Sequence, residues 1–380
     1  MWGRLGAEKQ EQSEAAQQEQ SPEEKAAAEE QERAQQIVEG LSLEQKVAQL
    51  FVVRPEGITG VDVVTEAGKA TREAISEAPI GGLVYSQKNL VDAKQISTML
   101  KSTQNYVKDS SGLPAFLCVE EEGGPHGPIA AAFLDKGNVE SAARIGATND
   151  VEEARDGARQ IGTYMADYGF NLTIAPVADV VSTADSDLSD RSYGDDPAKV
   201  ASMTEAAIDG FTRANVICAV KHFPGTGDAE KDPHNNRLYL HKSAEELKQR
   251  ELVPFKAAID AGVPVVVVSN MSCLGIGNGE GDLPSWMSKT MVGDILRNDL
   301  GFKGVAATDM LDDESVNDAC EPSEQGVRAI QAGIDLIVCP KDFDKAYRGL
   351  VKAVENGDIP ESRIDESVLR IVRLKQSLSS

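Results

Sequence analysis

The sequence predicts a single α/β domain folded as a (β/α)8 barrel and preceded by a polar segment. From Leu41 onward, short apolar runs rich in β-branched residues alternate with longer amphipathic stretches, as in a parallel sheet covered by helices on both faces. Eight such runs follow one another at about 41-residue intervals, which suits a closed barrel with insertions. The glycine-rich phosphate loops that would favour an open doubly wound sheet, GxGxxG and GxxxxGK(S/T), are absent from the sequence. The predicted strands are Gln49–Val53, Gly82–Tyr85, Ala115–Val119, Leu172–Pro176, Ile217–Lys221, Pro264–Ser269, Gly304–Thr308 and Asp335–Cys339.

Helices are predicted between the strands, and local signals mark several of their ends. Ser243 begins the sequence Ser-Ala-Glu-Glu, which resembles a capping box, and Gly262 and Gly333 follow two predicted helix ends. A last helix near Glu361–Leu378 completes the ring, so no residues remain for a second folded domain. The other predicted helices include Asp150–Tyr168, Pro197–Ala214, Ser243–Ala261, Ser288–Leu300 and Ser323–Ala332.

Residues 1–36 are predicted to form a polar tether outside the barrel domain of residues 37–380. Within 7–36, nine Glu, eight Gln and seven Ala make up 24 of the 30 residues, and Ala is the only apolar type. Such a segment buries too little apolar surface to offset its ordering entropy, although Ala, Glu and Gln are good helix formers. The tether is therefore expected to be disordered or helical and to contribute little to the core.

Composition and charge exclude several classes of function. The 380 residues carry 38 Lys and Arg against 62 Asp and Glu, a net charge of −24 that repels the phosphates of nucleic acids and anionic lipids. No apolar run approaches the length of a membrane span, and five widely spaced cysteines without a CxxC predict neither a disulfide framework nor a zinc site. Because no apolar export segment follows Met1, the sequence as it stands predicts a cytoplasmic protein. The alternative is a cell-surface or secreted lipoprotein whose export segment lies further upstream.

Polar residues follow the predicted strands at the rim where a barrel carries its active site. The set combines carboxylates, basic groups and imidazoles, without a phosphate loop or a dense group of metal ligands. That combination suits recognition of a neutral, hydroxyl-rich ligand together with acid–base chemistry. The candidate residues are Glu120, Arg191, Lys221, His222, His234 and Asp309.

Each candidate also has a structural interpretation, and position alone leaves both open. Asp309 fits a helix N-cap, and Lys221 and Glu120 fit a salt bridge at the rim. His222 fits a hydrogen-bonded core histidine, and His234 fits a solvated loop residue. The residues by themselves therefore predict a barrel enzyme with an unspecified ligand.

A longer motif resembles a known family. The run Lys221-His-Phe-Pro-Gly-Thr-Gly-Asp228, followed by Asp232-Pro-His234, resembles the signature loop of glycoside hydrolase family 3, most closely that of its single-domain β-N-acetylglucosaminidases. Supporting pieces occur in the expected order, and the resemblance covers roughly residues 41–376. These pieces are Leu41–Phe51, Glu121–Gly124, Asn171–Asp179, Arg191–Pro197, Glu251–Lys256, Leu300–Val305 and Thr308-Asp309.

The resemblance implies a retaining glycosidase with residues 37–380 as its catalytic domain. Asp309 would be the nucleophile that forms a glycosyl-enzyme intermediate. His234 would be the acid/base, with Asp232 on its other ring nitrogen fixing the tautomer and raising its basicity. No metal or other cofactor is expected. The residues implied to hold the sugar are Glu120, Arg191, Lys221 and His222.

Five positions depart from the family pattern. Glu120 stands where an aspartate usually holds sugar hydroxyls, and its extra methylene moves the carboxylate by about 1 Å. Thr226 replaces the second histidine of the loop, and Pro233 stiffens the Asp-x-His pair. Asn270 replaces a histidine after the sixth strand, and Pro125 replaces an arginine after Glu-Gly-Gly. Because the nucleophile and the acid/base pair are intact, a working enzyme is expected.

The leading functional hypothesis is an exo-acting, retaining β-N-acetylhexosaminidase that removes terminal β-linked N-acetylglucosamine, with peptidoglycan fragments as the expected source. The alternatives are a β-glucosidase or β-xylosidase of the same family and a non-catalytic sugar-binding protein with a degenerate site. The expected partner is a carbohydrate substrate, with no nucleic acid and no membrane span, and the chain is expected to be a monomer. Were His234 not the proton donor, Glu121 and Glu122 would be the remaining acids near the rim.

Overall fold

All eight predicted apolar runs contain strands in the computed structural model, which describes residues 21–133, 139–231, 236–316 and 319–378. Most of the strands are shorter than the runs because hydrogen-bonded pairing ends where the chain turns towards a loop, whereas the strand of the second run matches its prediction and that of the fifth run extends two residues further, to Phe223. In chain order the strands are β1 (Phe51–Val53), β2 (Gly82–Tyr85), β3 (Phe116–Val119), β4 (Leu172–Thr173), β5 (Ile217–Phe223), β6 (Glu230–Lys231), β7 (Leu238–Ser243), β8 (Val265–Val268), β9 (Ser272–Gly275), β10 (Val305–Thr308) and β11 (Ile337–Val338).

Eight of these strands close into a parallel barrel. Their order is β10-β8-β5-β4-β3-β2-β1-β11, and a parallel bridge between Ala307 and Leu336 joins the two ends. Every neighbouring pair runs parallel, as β8 and β10 do with Val265 opposite Val305. The predicted (β/α)8 barrel is confirmed.

The barrel strands are buried on both faces, which explains why their sequences are continuous rather than alternating apolar runs. All four residues of β2, β3, β8 and β10 are buried. Close contact between strands also limits the size of a side chain. A Cβ atom on Gly82 would lie 2.3 Å from the carbonyl oxygen of Phe116. Only glycine fits at that position.

Helices surround the barrel, and none in the described ranges is long and apolar enough to cross a membrane. Besides a π-helix at Thr290–Asp299, in chain order they are α1 (Pro22–Gly40), α2 (Leu43–Gln49), α3 (Pro55–Thr59), α4 (Lys69–Glu77), α5 (Ala93–Ser111), α6 (Pro128–Ala132), α7 (Ala142–Thr148), α8 (Val151–Tyr168), α9 (Pro197–Arg213), α10 (Ala244–Gln249), α11 (Leu252–Asp260), α12 (Pro322–Ala332), α13 (Phe343–Glu355) and α14 (Glu361–Gln376).

Two predicted helices differ in detail. Ser243 caps a helix as expected, with its side chain accepting from Glu246 N, but the helix stops at Arg250 and a second one begins at Leu252. The helix predicted over 288–300 is the π-helix. The apolar periodicity is typical of a helix in both places, and it does not specify a break or a wider turn.

A small second sheet forms at the rim from segments for which the sequence predicted no strands. Strand β6 pairs antiparallel with β7, and β7 pairs parallel with β9. Strands β6 and β7 follow the fifth barrel strand, whereas β9 follows the sixth. The sheet therefore joins two neighbouring loops at the carboxyl-terminal rim of the barrel.

Helix α1 runs across the predicted boundary between residues 36 and 37. Ala34 and Val38 are buried in the core of the barrel domain, whereas residues 25–33 are exposed. The helix packs against α14, the last helix of the ring. The division of the chain stays a prediction, since residues 1–20 lie outside the described ranges, but the last two turns of α1 are attached to the domain.

Two truncations test where that attachment begins. Deletion of residues 1–28 removes no described buried side chain and should leave the thermal midpoint unchanged. Deletion of residues 1–38 exposes the surface covered by Ala34 and Val38, a loss of about 2–4 kcal/mol, and should lower the midpoint by about 2–6 °C. Equal midpoints for the two truncated proteins, measured by calorimetry, would contradict the packing of α1.

Lys375 is an unusual buried ionisable group at the amino-terminal end of the barrel. Its Nζ donates to Gln49 Oε1 at 2.7 Å and lies 5.0 Å from the centre of the Phe116 ring. Within the described ranges no carboxylate lies within ion-pair distance of it. Burial lowers the pKa of Lys375 to about 7.

The lowered pKa of Lys375 makes stability depend on pH. Between about pH 7 and pH 10 the unfolded chain binds a proton at Lys375 that the folded protein does not, so the free energy of unfolding rises with pH. Over two pH units this contribution is about 2–3 kcal/mol. Lys375→Met should flatten the dependence of the thermal midpoint on pH, whereas Lys101→Met, at an exposed lysine of α5, should not. Parallel curves for wild type and Lys375→Met would show that Lys375 stays charged.

Candidate active site

A cavity of about 610 Å³ opens at the carboxyl-terminal rim of the barrel. It is formed by the loops after β3, β4, β5, β8 and β10, where the sequence predicted polar residues. Parallel strands bring their carboxyl ends to one rim, so residues far apart in sequence face a common space. Four of the predicted site residues line the cavity, namely Glu120, Arg191, His222 and Asp309.

Asp309 follows β10 directly. Its backbone N–H donates to the carbonyl of Val268 at 2.8 Å, which holds it against β8, and its Oδ1 accepts from the N–H of Met310 at 2.9 Å. No helix in the described ranges begins here, so the helix N-cap interpretation of Asp309 fails. Burial raises the pKa of Asp309, and the neighbouring His222 and the hydrogen bond from Met310 oppose that effect.

Lys221 lies at the centre of an ion-pair cluster of four residues. Its side chain is fully buried, and its Nζ lies 2.8 Å from Glu120 Oε1 and 2.6 Å from Glu122 Oε1. Arg191 makes a two-point contact with Glu122, at 2.7 Å from Nε to Oε2 and 2.6 Å from Nη2 to Oε1. The paired charges of the Lys221 cluster (Lys221, Arg191, Glu120 and Glu122) balance, and the cluster links β3, the loop after β4, and β5.

The Lys221 cluster stays ionised at neutral pH. Burial by itself would raise the pKa of Glu122, but the charges of Lys221 and Arg191 outweigh it and lower the pKa to about 2. The pKa of Glu120 is also lowered, because Lys221 outweighs burial there. Burial would lower the pKa of Lys221, and the two carboxylates raise it instead. Glu120, whose side chain is 35% exposed, therefore presents an ionised acceptor to the cavity.

His222 is oriented by a buried carboxylate. Its Nδ1 lies 2.7 Å from Asp179 Oδ2, and the other carboxylate oxygen of Asp179 accepts from Thr226 N at 2.5 Å. Because Nδ1 is engaged, the other ring nitrogen of His222 is left for the cavity that the residue lines. Thr226 thus has a defined part in the loop as a donor to Asp179.

The side chain of Glu121 lies on the opposite side of the chain from those of Glu120 and Glu122, and its role is structural. It is buried and accepts from Ile129 N at 2.7 Å, Ala130 N at 3.0 Å and the hydroxyl of Tyr164 at 2.7 Å. These bonds fix the start of α6. The suggestion that Glu121 or Glu122 could act as the acid at the rim is therefore wrong, because Glu121 faces α6, and Glu122 is held in its ionised form by Lys221 and Arg191 and has no proton to donate.

The sequence predicted neither the ion pairs of Glu122 with Lys221 and Arg191 nor the contact of Asp179 with His222. The signal for Glu122 is the extended run that continues past β3, since alternate residues of such a run share a face and Glu122 must lie beside Glu120. Asp179 carries no such signal, because its partner His222 is 43 residues away.

Asp232 and His234 lie outside the described residues, so their roles stay predictions. The residues on either side of that segment, Lys231 and Asn236, both line the cavity. Asn270, another departure from the family pattern, also lines it and donates through Nδ2 to the carbonyl of Met310 at 2.9 Å. The described ranges contain no group of three His, Cys, Asp or Glu side chains arranged to hold a metal ion.

Comparison with known proteins identifies the family. The model of the glycosyl hydrolase family 3 N-terminal domain matches residues 42–374, which is most of the chain. The chain belongs to glycosyl hydrolase family 3. It is therefore a glycoside hydrolase, and the resemblance inferred from the signature loop is confirmed.

Relatives within the family carry related names. The chain is 28% identical to beta-hexosaminidase LpqI of Mycobacterium tuberculosis over 344 residues, which cover 88% of this chain and 83% of LpqI. It is also 28% identical to beta-hexosaminidase A of Pseudoalteromonas piscicida over 330 residues, covering 80% of this chain but only 55% of that relative. A solved family 3 β-N-acetylglucosaminidase from Paenibacillus sp. str. FPU-7 superposes with a TM-score of 0.81 and 31% identity, covering 90% of this chain and 63% of that structure.

The two adjacent glutamates allow a matched test of the site. Glu122→Gln removes the charge that offsets Lys221 and Arg191, so kcat/KM towards an aryl N-acetyl-β-glucosaminide should fall by about 10–1,000-fold with a higher KM. Glu121→Gln should lower the thermal midpoint, because the NH2 group of the glutamine replaces one of the two oxygens that accept from the backbone N–H groups of α6. Its kcat/KM per folded molecule should stay within about threefold of wild type. A Glu122→Gln enzyme with wild-type KM would contradict the prediction that residues of the cluster hold the sugar.

Proposed function

We propose that the protein is a retaining exo-β-N-acetylhexosaminidase that hydrolyses terminal β-linked N-acetylglucosamine. The observation that carries the proposal is the position of Asp309, a carboxylate at the end of β10 that lines one cavity with Glu120 and Arg191 of the Lys221 cluster and with the oriented His222. The names of the relatives, beta-hexosaminidase and β-N-acetylglucosaminidase, support the choice of sugar. Peptidoglycan fragments as the natural source, and the cellular location, stay predictions.

In the proposed mechanism Asp309 attacks the anomeric carbon of the terminal sugar. The glycosidic C–O bond breaks, the leaving-group oxygen takes a proton from the acid/base residue, and the sugar stays as an ester on Asp309. Water then attacks the same carbon, gives its proton back to the acid/base residue and releases the sugar with its original configuration. Asp309 must be ionised to attack, and its pKa is raised. As the pH is lowered, activity should therefore be lost at a higher pH than it would be with an aspartate of ordinary pKa.

The Lys221 cluster and His222 fit the recognition of hydroxyl groups. Glu120 offers an ionised acceptor, Arg191 lines the same cavity, and both are held in place by charge-assisted bonds that need no rearrangement on binding. Fixed polar groups of this kind position the sugar for attack by Asp309. The acid/base role is assigned to His234, with Asp232 as its orienting partner.

The nucleophile is tested by Asp309→Ala. Loss of the covalent step should lower turnover of an aryl N-acetyl-β-glucosaminide by about 10⁴-fold or more while the thermal midpoint changes little. Added azide should restore part of the reaction and give a glycosyl azide of inverted configuration, since a small anion can occupy the vacated position. The surface variant Asp299→Ala should behave as wild type. Near-wild-type turnover by Asp309→Ala would show that another group is the nucleophile.

The proton donor is tested through the leaving group. His234→Ala should slow cleavage of a poor leaving group, such as a second sugar, by about 10²–10⁴-fold. The loss with dinitrophenol should be much smaller, because that group departs without a proton. His241→Ala, at an exposed histidine of β7, should affect neither substrate. Equal losses on both substrates for His234→Ala would remove it from the donor role.

A further inference from the structure

In the described part of the chain, two buried oxygen atoms in the wall of the active-site cavity have no hydrogen-bond partner. They are Oγ of Ser269 and Oδ1 of Asn270, and these two residues directly follow β8. Ser269 is 1% exposed and Asn270 9% exposed, and both line the cavity. Buried polar atoms in folded proteins are nearly always paired, because an unpaired one loses its bonds to water without compensation. The two oxygens therefore point to a ligand that supplies the missing partners.

Neighbouring segments hold both residues in place. The backbone N–H of Ser269 donates to the carbonyl of Phe223 at 2.9 Å, and Nδ2 of Asn270 donates to the carbonyl of Met310 at 2.9 Å. Because Nδ2 of Asn270 is engaged, the amide oxygen is the group left for a ligand, and that oxygen can only accept a hydrogen bond. The hydroxyl of Ser269 can donate one. The two residues thus offer an acceptor and a donor side by side.

Ser269 and Asn270 lie between the nucleophile and the residues that are proposed to hold the sugar hydroxyls. Around the rim, β10 with Asp309 is followed by β8 with this pair, then by β5 with His222, and two strands further by β3 with Glu120. On the other side of β10 lies β11, and none of the described residues after β11, 339–378, lines the cavity. The side of the cavity next to Asp309 is therefore formed by the pair.

The order of atoms in the sugar ring matches the order of strands around the rim. Asp309 attacks C1, and the free hydroxyl groups of a terminal N-acetylhexosamine are on C3, C4 and C6. C2 lies between the attacked carbon and the first of these hydroxyl-bearing carbons. A sugar with C1 at Asp309 and its hydroxyl groups at His222 and Glu120 therefore has C2, and the substituent on C2, at β8.

An acetamido group on C2 has the partners that the two oxygens lack. Its N–H needs an acceptor, which Oδ1 of Asn270 provides, and its carbonyl oxygen needs a donor, which the hydroxyl of Ser269 provides. Its methyl group needs an apolar surface, and Met271 and Met310, which follow Asn270 and Asp309 in the sequence, also line the cavity. A hydroxyl group on C2 is too short to pair with both oxygens at once.

We propose that Ser269 and Asn270 recognise the 2-acetamido group of the sugar that Asp309 attacks, and that they select N-acetylhexosamines over hexoses with a hydroxyl group at C2. The inference rests on the proposed function and assigns its sugar specificity to two residues. A site built to hydrogen-bond a substrate group rejects an analogue that lacks the group, because the buried polar atoms of the site then stay unpaired. The covalent chemistry at Asp309 is unchanged.

Three aryl β-glycosides with the same leaving group test the proposal. They are the N-acetylglucosaminide, the 2-O-acetyl glucoside, which keeps the carbonyl but lacks the N–H, and the glucoside, which lacks both. For wild type, kcat/KM should fall in that order, by about 10²–10⁴-fold from the first to the last. A wild-type enzyme that cleaves the glucoside as fast as the N-acetylglucosaminide would overturn the selection at C2.

Two variants assign the two bonds separately. Ser269→Ala should lower kcat/KM about 10–100-fold on the two substrates with a carbonyl and leave the glucoside within about threefold. Asn270→Ala should abolish the difference between the N-acetylglucosaminide and the 2-O-acetyl glucoside. Because that difference is a ratio, any general effect of losing the bond to Met310 cancels from it. Ser76→Ala and Asn105→Ala, at exposed positions of α4 and α5, are the matched controls and should change no substrate.

The outcomes separate the recognition of the acetamido group from the activity. Equal losses on all three substrates in both variants, or no loss in either, would overturn the roles of Ser269 and Asn270 while leaving the exo-hexosaminidase intact. Failure of wild type to cleave the aryl N-acetylglucosaminide would overturn the proposed function itself. Inhibition by free sugars decides the matter if one variant folds poorly. In the other variant the inhibition constant of N-acetylglucosamine should rise about tenfold while that of glucose stays unchanged, and an equal change for both sugars would contradict the proposal.

Discussion

The buried ammonium group of Lys221 is the constraint on which the site depends. A charge without partners in a barrel interior costs several kcal/mol, so Lys221 is stable there only with carboxylates in contact. Glu120 and Glu122 supply them from the segment after β3, and Arg191 reaches Glu122 from the loop after β4. Three neighbouring segments of the rim are thereby fixed relative to one another. The oxygen atoms that face the cavity are fixed with them.

The alternation of an extended chain lets one short run serve two purposes. Glu120 and Glu122 face the ammonium group, and Glu121 between them faces α6 and Tyr164. The same run thus builds the sugar site on one side and anchors the next helix on the other. The longer side chain of Glu120, compared with the usual aspartate, is accommodated because its Oε1 is held at 2.8 Å by Lys221.

The fold could be predicted because barrel strands leave a simple pattern, and the rest could not for definite reasons. Continuous apolar runs such as Pro264–Ser269 must be buried on both faces, so they identified the strands. The sheet formed by β6, β7 and β9 has exposed and polar residues and is held by pairing between distant segments, which no local pattern reveals. The break at Arg250 and the π-helix lie in segments whose apolar periodicity is that of an ordinary helix, so the pattern does not reveal them.

Some of the site residues could also be predicted from the sequence, and others could not. Asp309, Lys221 and His222 could be chosen because polar residues at strand ends meet at one rim, and the resemblance to a family assigned their roles. The part that Asp179 plays could not be predicted, because it depends on a contact with His222, which is 43 residues away in the sequence. The roles of Asp232 and His234 rest on the signature loop alone. The retaining mechanism depends on a covalent bond between the sugar and Asp309.

The most direct measurement of that claim is to trap the glycosyl-enzyme. A slowly hydrolysed, fluorinated N-acetylglucosaminyl fluoride should inactivate the enzyme and add the mass of one sugar. Peptide mapping by mass spectrometry should place that mass on Asp309, and Asp309→Ala should take up none. A label on Glu120 or on any other carboxylate would contradict this mechanism. Turnover of the reagent by Asp309→Ala at the wild-type rate would contradict it as well.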